Sequence, residues 1–507
     1  EAIDIYHTKP VLYYVPKQET LAEFNEDYGD ELYMIEERTG KGHGDKKNFG
    51  YANNLVSTDD LRKNLAKDEK YALDEPTYIR ARLFDMLIGD WDRHQDQWRW
   101  TEIEKNGKII YKPVPRDRDQ AFSIFGDGFL LNFLTNSMPA LRGMRSYSED
   151  LKDPKWFSYS AYPLDMMLIT KSNKAVWDNQ VKRIQEKITD EVINSAMAKF
   201  PNEVQDNTIA DIKQKLIGRR KNLQNIADRY YNYLNEFQIV MGTNKDDYFE
   251  INRLNNGDTK IIIYRIKNGE KDQIILDKTF DCNVTKEIWI YGLDDQDKFV
   301  LKGKSKKKYI TLKIIGGLDR DTYDIENTKN VKVFDQKDKK NKFKTKDINK
   351  KLTNDYDTNN YDYTKLKSSS NLLSPAIGLN PDDGIKLGLK NTIIVNGFER
   401  NPFTAKHVIS GFYYFATSGY ELNYSGEFAN FINKWNLKIE AGYNSPNFAR
   451  NFFGFGNDSP YLEANKDDEN RDFNRVRIRQ YNLGTFLKWR GHLGAKFKTG
   501  LNFESFN

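Results

Sequence analysis

Asp92 stands in the run Leu-Ile-Gly-Asp-Trp-Asp-Arg-His-Gln-Asp-Gln-Trp-Arg-Trp, and one short hairpin later Asp117 opens Asp-Arg-Asp-Gln-Ala-Phe. A carboxylate on a loop after a helix can meet the proton of an attacking hydroxyl. A second carboxylate, one hairpin on, can hold a cation that bridges phosphate oxygens. The chemistry in view is phosphoryl transfer, with Asp92 as base or substrate-orienting group and Asp117 as metal ligand. Asp119 could share the cation, and Gln97 could add an amide oxygen, because magnesium takes hard oxygen ligands. Arg93 and His94 would brace the loop. For any one of these residues the competing reading is a salt-bridged loop packed by Trp91, Trp98 and Trp100. Their joint spacing points to a site.

Such a site needs elements to position it. Glu75-Pro76 opens a helix in which Ile79, Leu83, Met86 and Leu87 recur at helical spacing, ending at Gly89. Ser57-Thr58-Asp59-Asp60-Leu61 starts another, with a hydroxyl cap and acids in the first turn. Apolar strands are expected at 11–15 and 31–37, and helices at 176–188, 190–200 and 209–240.

In these residues the chain resembles the kinase-like fold shared by HipA-type toxin kinases, secreted Golgi protein kinases and phosphoinositide kinases. The resemblance covers roughly residues 1–242 and extends to the order of the elements. It implies that strand 31–37 forms the hinge, with Glu36 and Glu37 where backbone groups would meet an adenine. It implies Mg2+ and a nucleotide as the cofactors of an active site. Gln97 departs from the family's Asn, which weakens the case for a second metal. The glycine-rich hairpin and phosphate-binding Lys of the family are expected to be absent or to lie upstream of Glu1.

Beyond Asp246 the hydrophobic period switches to two. Strands are expected at 248–253, 261–266, 273–276, 287–291, 299–301, 309–315 and 331–334, between Asn-Gly, Asp-Asp and Gly-Gly turns. Gly316-Gly317-Leu318-Asp319-Arg320-Asp321 has the composition of a calcium-binding β-roll turn, but a single copy reads as a plain β-turn. Residues 336–370 are rich in Lys, Asn, Asp and Ser, which is linker chemistry.

From Leu372 onward the strands are long and alternate. Tyr420, Leu422, Tyr424 and Phe428 face one way, and Glu421, Asn423, Ser425 and Glu427 the other. Trp435, Leu437, Ile439, Ala441 and Tyr443 repeat the pattern, as do Tyr481, Leu483, Leu487 and Trp489, then Leu493, Ala495 and Phe497. Strands of roughly 10 residues suit a transmembrane barrel better than a sandwich. Closure needs at least ~8 strands, so the chain is expected to be a piece of a longer protein. Asp382-Asp383-Gly384, Asn401-Pro402-Phe403 and Asn451-Phe452-Phe453-Gly454-Phe455-Gly456 resemble the start of a BamA-like bacterial surface-antigen barrel. As a whole the chain resembles a Bacteroidota group of outer-membrane proteins, whose longer members often carry an upstream metallophosphoesterase domain. No metallophosphoesterase motif occurs in these residues.

The expected fold class is therefore multidomain α+β: a kinase-like C-lobe (1–242), a small all-β module (243–335), a linker (336–371) and the first strands of an antiparallel outer-membrane β-barrel (372–507). Composition agrees with folded protein, at 38% hydrophobic and 30% charged residues. The net charge of +5 is the small difference between 79 basic and 74 acidic residues, a mixed surface that argues against a nucleic-acid partner. Cys282 is the single cysteine, so no intrachain disulfide forms, and a small core residue is expected there. No run approaches the ~18 apolar residues of a spanning helix, a test that barrel strands escape.

The resemblance implies an outer-membrane barrel with a periplasm-facing kinase-like domain, in contact with outer-membrane lipid. That domain would be a phosphotransferase, or, since ATP is not expected in the periplasm, a degenerate kinase used as a binding scaffold. A second reading is an assembly or transport factor that recruits outer-membrane or periplasmic proteins. Hydrolase activity outside these residues and a soluble enzyme with no membrane phase stay open.

Overall fold

The computed structural model describes residues 1–126, 128–380, 383–456, 475–491 and 494–507, so the cues at Asp382 and Leu493 lie outside the described residues. The fold is mixed α/β with several sheets. It divides into two compact units, Glu1–Asp127 with Gly143–Leu366, and Gly128–Arg142 with Lys367–Asn507.

In the first unit, Val11–Val15 pairs antiparallel with Glu31–Ile35 as a two-stranded ribbon whose Leu12, Tyr14, Leu32 and Met34 are exposed. Ser57 caps helix Thr58–Lys67 in a reciprocal capping box with Asp60. Helix Glu75–Ile88 is the hub of this part, and most of its residues are buried. Asp74 accepts from the Thr77 N–H at its start, and Gly89 closes it in the left-handed conformation, φ 80°. Strands Trp98–Lys105 and Lys108–Pro115 form the expected hairpin. Helices Lys174–Lys187, Asp190–Met197 and Asn207–Glu236 follow. The last ends sooner than its periodicity suggested, because Phe237–Met241 leaves it to pair, in parallel, with Glu287–Leu293.

That parallel pair begins a coil. One sheet stacks Phe237–Met241, Glu287–Leu293, Thr311–Gly317, Val331–Asp335 and Lys350–Leu352, each parallel to the next. The facing sheet stacks Asp247–Arg253, Lys298–Lys302, Thr322–Ile325 and Lys342–Phe343, also in parallel. The hairpin Thr259–Lys267 and Glu270–Phe280 extends it antiparallel at one edge. Between the sheets lie Ile251, Ile288, Ile290, Leu301, Leu312, Ile314, Ile325 and Val333. A column of rings runs through them: Phe249 stacks on Phe299 at 4.5 Å, Phe299 on Tyr323 at 5.2 Å, Tyr323 on Phe343 at 4.8 Å.

Two expectations change here. The Gly316–Asp321 turn is not a single copy, since Gly242–Asp247 and Gly292–Asp297 occupy the same place on neighbouring coils. The inserted hairpin 259–280 lengthens the first interval and conceals the repeat. Within residues 336–366, of linker composition, Lys342–Phe343 and Lys350–Leu352 supply strands to the last coil, and Phe343 and Ile348 pack into its core.

Among the described residues the second unit holds helix Phe129–Ser137 and an antiparallel sheet of seven strands in chain order. Its strands are Ser370–Asn380, Gly384–Val395, Ala405–Tyr414, Tyr420–Ile432, Trp435–Asn451, Arg475–Arg490 and Lys496–Phe506. The first and last are the edges of the sheet among the described strands. Registry puts Leu422 opposite Tyr443, Ala441 opposite Leu483 and Leu483 opposite Phe503, so one face is apolar across the sheet. The other carries the pairs Lys386–Glu421, Lys488–Glu427 and Lys438–Glu440.

Candidate functional site

The site is built where helix Glu75–Ile88 stops. A Cβ at Gly89 would strike the Tyr147 ring, so only glycine allows the chain to turn there, and the Asp90 N–H then bonds the Asp85 carbonyl at 2.9 Å. The turn delivers Asp90 and Arg93 into a charge network whose members are buried except for the partly exposed Arg118. Arg82 meets Asp85 at 2.8 Å and Asp165 at 3.0 Å; Arg118 meets Asp85 at 2.7 Å; Arg93 meets Asp90 at 3.2 Å. Tyr78 and Tyr230 donate their hydroxyls to Asp165. Burial, with the neighbouring Asp85 charge, pushes the Asp90 carboxyl up to about 7 against the pull of Arg93 and Arg118.

Arg93 does the joining. Its guanidinium donates to the carbonyls of Arg116 at 2.7 Å, Asp117 at 2.9 Å and Gln97 at 2.9 Å, and lies over the Trp98 ring at 4.7 Å. A single buried side chain thus ties the loop carrying Asp92 to the end of the hairpin carrying Asp117. Asp117 is held at φ 49°, in the left-handed region, and its Oδ2 accepts from Gln97 Nε2 at 3.1 Å. Two of the expected metal ligands are therefore neighbours. Asp119 is exposed and accepts from the adjacent Gln120 Nε2 at 3.0 Å. His94 Nδ1 accepts from the Asp96 N–H at 3.3 Å, leaving Nε2 facing the Asp92 carboxylate at 3.8 Å.

Glu36 and Glu37 lie just past the ribbon. Glu36 accepts from the Thr8 hydroxyl at 2.8 Å and Glu37 from Asn48 at 3.4 Å, which straps the ribbon to its neighbours. Among the described residues no hydrogen bond or ion pair joins either of them to Asp92 or Asp117.

Comparison with family models, with curated proteins and with solved structures finds no match.

The donor set fits a magnesium ion only in part. Asp117 offers one carboxylate and Gln97 one amide oxygen, so an ion held there would depend on phosphate oxygens for much of its coordination. Among the described residues, the group of three whose ligand atoms converge within 4.8 Å is Asp258, Asp281 and Cys282, elsewhere on the coil. There Asp258 Oδ1 already accepts from the Cys282 N–H at 3.0 Å.

Sequence reasoning missed several residues. Ser160 holds the loop from the far side, donating to the Trp91 carbonyl at 2.7 Å and accepting from the Arg93 N–H at 3.2 Å. Arg118, Asp85 and Asp90 form the charge network beneath. Asp90 Oδ1, Trp91 Nε1 and Arg118 Nη2 are buried without hydrogen-bond partners, a set of unmet polar groups beside Asp92 and Asp117. Asp90, Trp91 and Arg118 stand inside the two motifs read from the sequence, whereas Ser160 and Asp85 had no signal there.

Proposed function

We propose that this chain belongs to an outer-membrane β-barrel protein whose kinase-like domain faces the periplasm and serves as a binding module. One observation carries the reading: the seven-stranded sheet has an apolar face bounded by two rows of aromatic side chains. Tyr420 and Tyr443 lie 5.8 Å apart and Tyr443 and Tyr481 5.1 Å apart in one row. Trp435 and Phe497, 5.8 Å apart, lie in the other, with Trp489 paired to both strands. From Trp435 to Tyr443 is roughly 26 Å of strand at ~3.3 Å per residue, comparable with the ~25 Å apolar band of membrane barrels and its aromatic girdles. The ion-paired face would line the interior, as polar residues do in such barrels. The test is partition of the full chain. Retention in carbonate-washed membranes, with extraction only by detergent, supports the reading, and recovery as a soluble monomer rejects it.

A phosphotransferase is the second reading, favoured by the juxtaposition of Gln97 and Asp117 and by the unmet polar atoms around Asp90. In it Asp92 would take the hydroxyl proton, and Asp117 with Gln97 would hold Mg2+ against the nucleotide phosphates. A nucleotide with Mg2+ would then raise the unfolding temperature of the full chain, and Asp117→Asn would cancel the rise. No rise with any nucleotide leaves the binding module alone. The BamA-like assembly role and a metallophosphoesterase outside these residues belong to the same outer-membrane reading.

A further inference from the structure

The turns of the coil stack three aspartates in a column. The Asp247 N–H donates to Asp297 Oδ1 at 2.8 Å, the Asp297 N–H to Asp321 Oδ1 at 2.8 Å, and the Asp321 N–H to Asn341 Oδ1 at 3.0 Å. One oxygen of Asp297 and one of Asp321 thus serve the preceding coil, while Asp247 Oδ2 accepts from Thr243 in its own turn. The other oxygens of Asp297 and Asp321 are buried and have no partner. They lie against Gly292 and Gly316, where a Cβ would collide with them. A Cβ at Gly292 would also meet the Gly316 carbonyl, and one at Gly316 the Tyr323 hydroxyl, which donates to Asp335 Oδ2 at 2.7 Å. A carboxylate charge buried with no donor on one oxygen is costly. A proton on that oxygen removes the charge and makes it a donor.

Asn341 shows the column in that form. Its Oδ1 accepts as the aspartates do, while its Nδ2 donates to the Gln336 carbonyl at 3.1 Å. A neutral donor is therefore accommodated in this column. We propose that Asp297 and Asp321 are proton-binding sites, held as neutral acids whose O–H donates within the stack, so that the coil tightens in acid and loosens as the pH rises.

The surroundings agree. Facing the column are Asp246 and Asp319 on the outer turns, Asp335 and Tyr323 on the coil strands, and Glu69 beyond helix Thr58–Lys67. The cation that meets it is Arg265, at 4.0 Å from Asp247 Oδ1. Burial, then the neighbouring aspartates, raises Asp297 well above the carboxylate range and Asp321 to about 8. Burial raises Asp247 to about 7 and Asp335 to about 6. Such a group keeps a proton that the unfolded chain has released. Its stabilisation is full below the ordinary carboxyl range and is lost as pH rises through about 6 to 8. Neither the membrane reading nor the phosphotransfer reading enters this inference.

Hydrogen exchange of the full chain tests it, read on peptides within 287–343 and corrected for the intrinsic rate at each pH. Protection should fall about tenfold per neutral acid between pH 6 and pH 7. Asp297→Asn combined with Asp321→Asn should keep protection at both values and flatten the dependence. Equal protection of the unaltered chain at pH 6 and 8 overturns the proposal. So does recovery of protection at pH 8 on adding calcium ions, or a double variant that fails to fold at pH 6. Infrared spectra of the unaltered chain and the double variant give a second reading. A protonated-carboxyl band at pH 6.5 that shrinks in the double variant, beyond what Asp90 and Asp247 leave, supports the neutral acids, and a band of equal size in both refutes them.

Discussion

Arg93 is the residue on which the candidate site turns. It is fully buried, and its neighbours Asp85 and Asp90 are fully buried too. Removing one member of such a network strands charge in a low-dielectric interior, which costs about 3–5 kcal/mol. Arg93→Ala should destabilise the first unit by that amount, read from the urea midpoint by tryptophan fluorescence, since Trp98 lies under the guanidinium. Arg93→Lys keeps the charge but not the fork that serves three carbonyls, and should fall between the two. Equal stability of all three proteins would mean that the network contributes nothing. The Asp-Arg-His run was visible as a string, and so was the acidic cluster. That Arg93 joins them was not, because its partners are backbone carbonyls, which every residue type carries.

At the scale of elements, Glu75 shows how a helix start is fixed in place. Its carboxylate accepts from the Lys171 N–H at 3.0 Å, the Ser172 N–H at 2.9 Å and the Ser172 hydroxyl at 2.8 Å, binding helix Glu75–Ile88 to the segment before Lys174–Lys187. Hydrogen bonds to a charged group contribute about 1.5–3 kcal/mol. Glu75→Gln should therefore cost at least ~2 kcal/mol in thermal or urea unfolding, and a variant of unchanged stability would refute this role. In the coil, Gly316→Ala forces a methyl into the space held by Asp321, Tyr323 and Asp335. Overpacking of that kind costs roughly 1–3 kcal/mol, measurable as faster exchange in 311–325, and unchanged exchange there would count against it. Helix starts were legible because caps are local. The coil was not, because a strand buried between two sheets reads the same in a parallel and an antiparallel ladder.

For the whole molecule the decisive property is the two-faced sheet. If its apolar face meets hydrocarbon, Leu422→Arg or Leu483→Arg should each cost about 2–4 kcal/mol in vesicle insertion when the residue sits near the midplane. Asn423→Arg and Asn482→Arg, on the opposite face by registry, should insert as the unaltered chain does. Folding into lipid vesicles, followed by heat-dependent gel migration, measures both sets. Equal insertion of all four variants would remove the membrane reading and leave the first unit's site and coil untouched.

The alternation from Tyr420 to Phe428 and from Trp435 to Tyr443 was determined by sequence alone, because a period of two has one structural meaning once a strand is long. The helix caps at Ser57 and Asp74 and the stop at Gly89 were determined in the same local way. Tertiary structure decided which strands run parallel, that residues of linker composition close the coil, and that three aspartates far apart in the chain share one buried column. Those outcomes depend on which segments meet after distant parts of the chain are brought together. The charges that become costly there are indistinguishable, in the unfolded sequence, from any solvated aspartate.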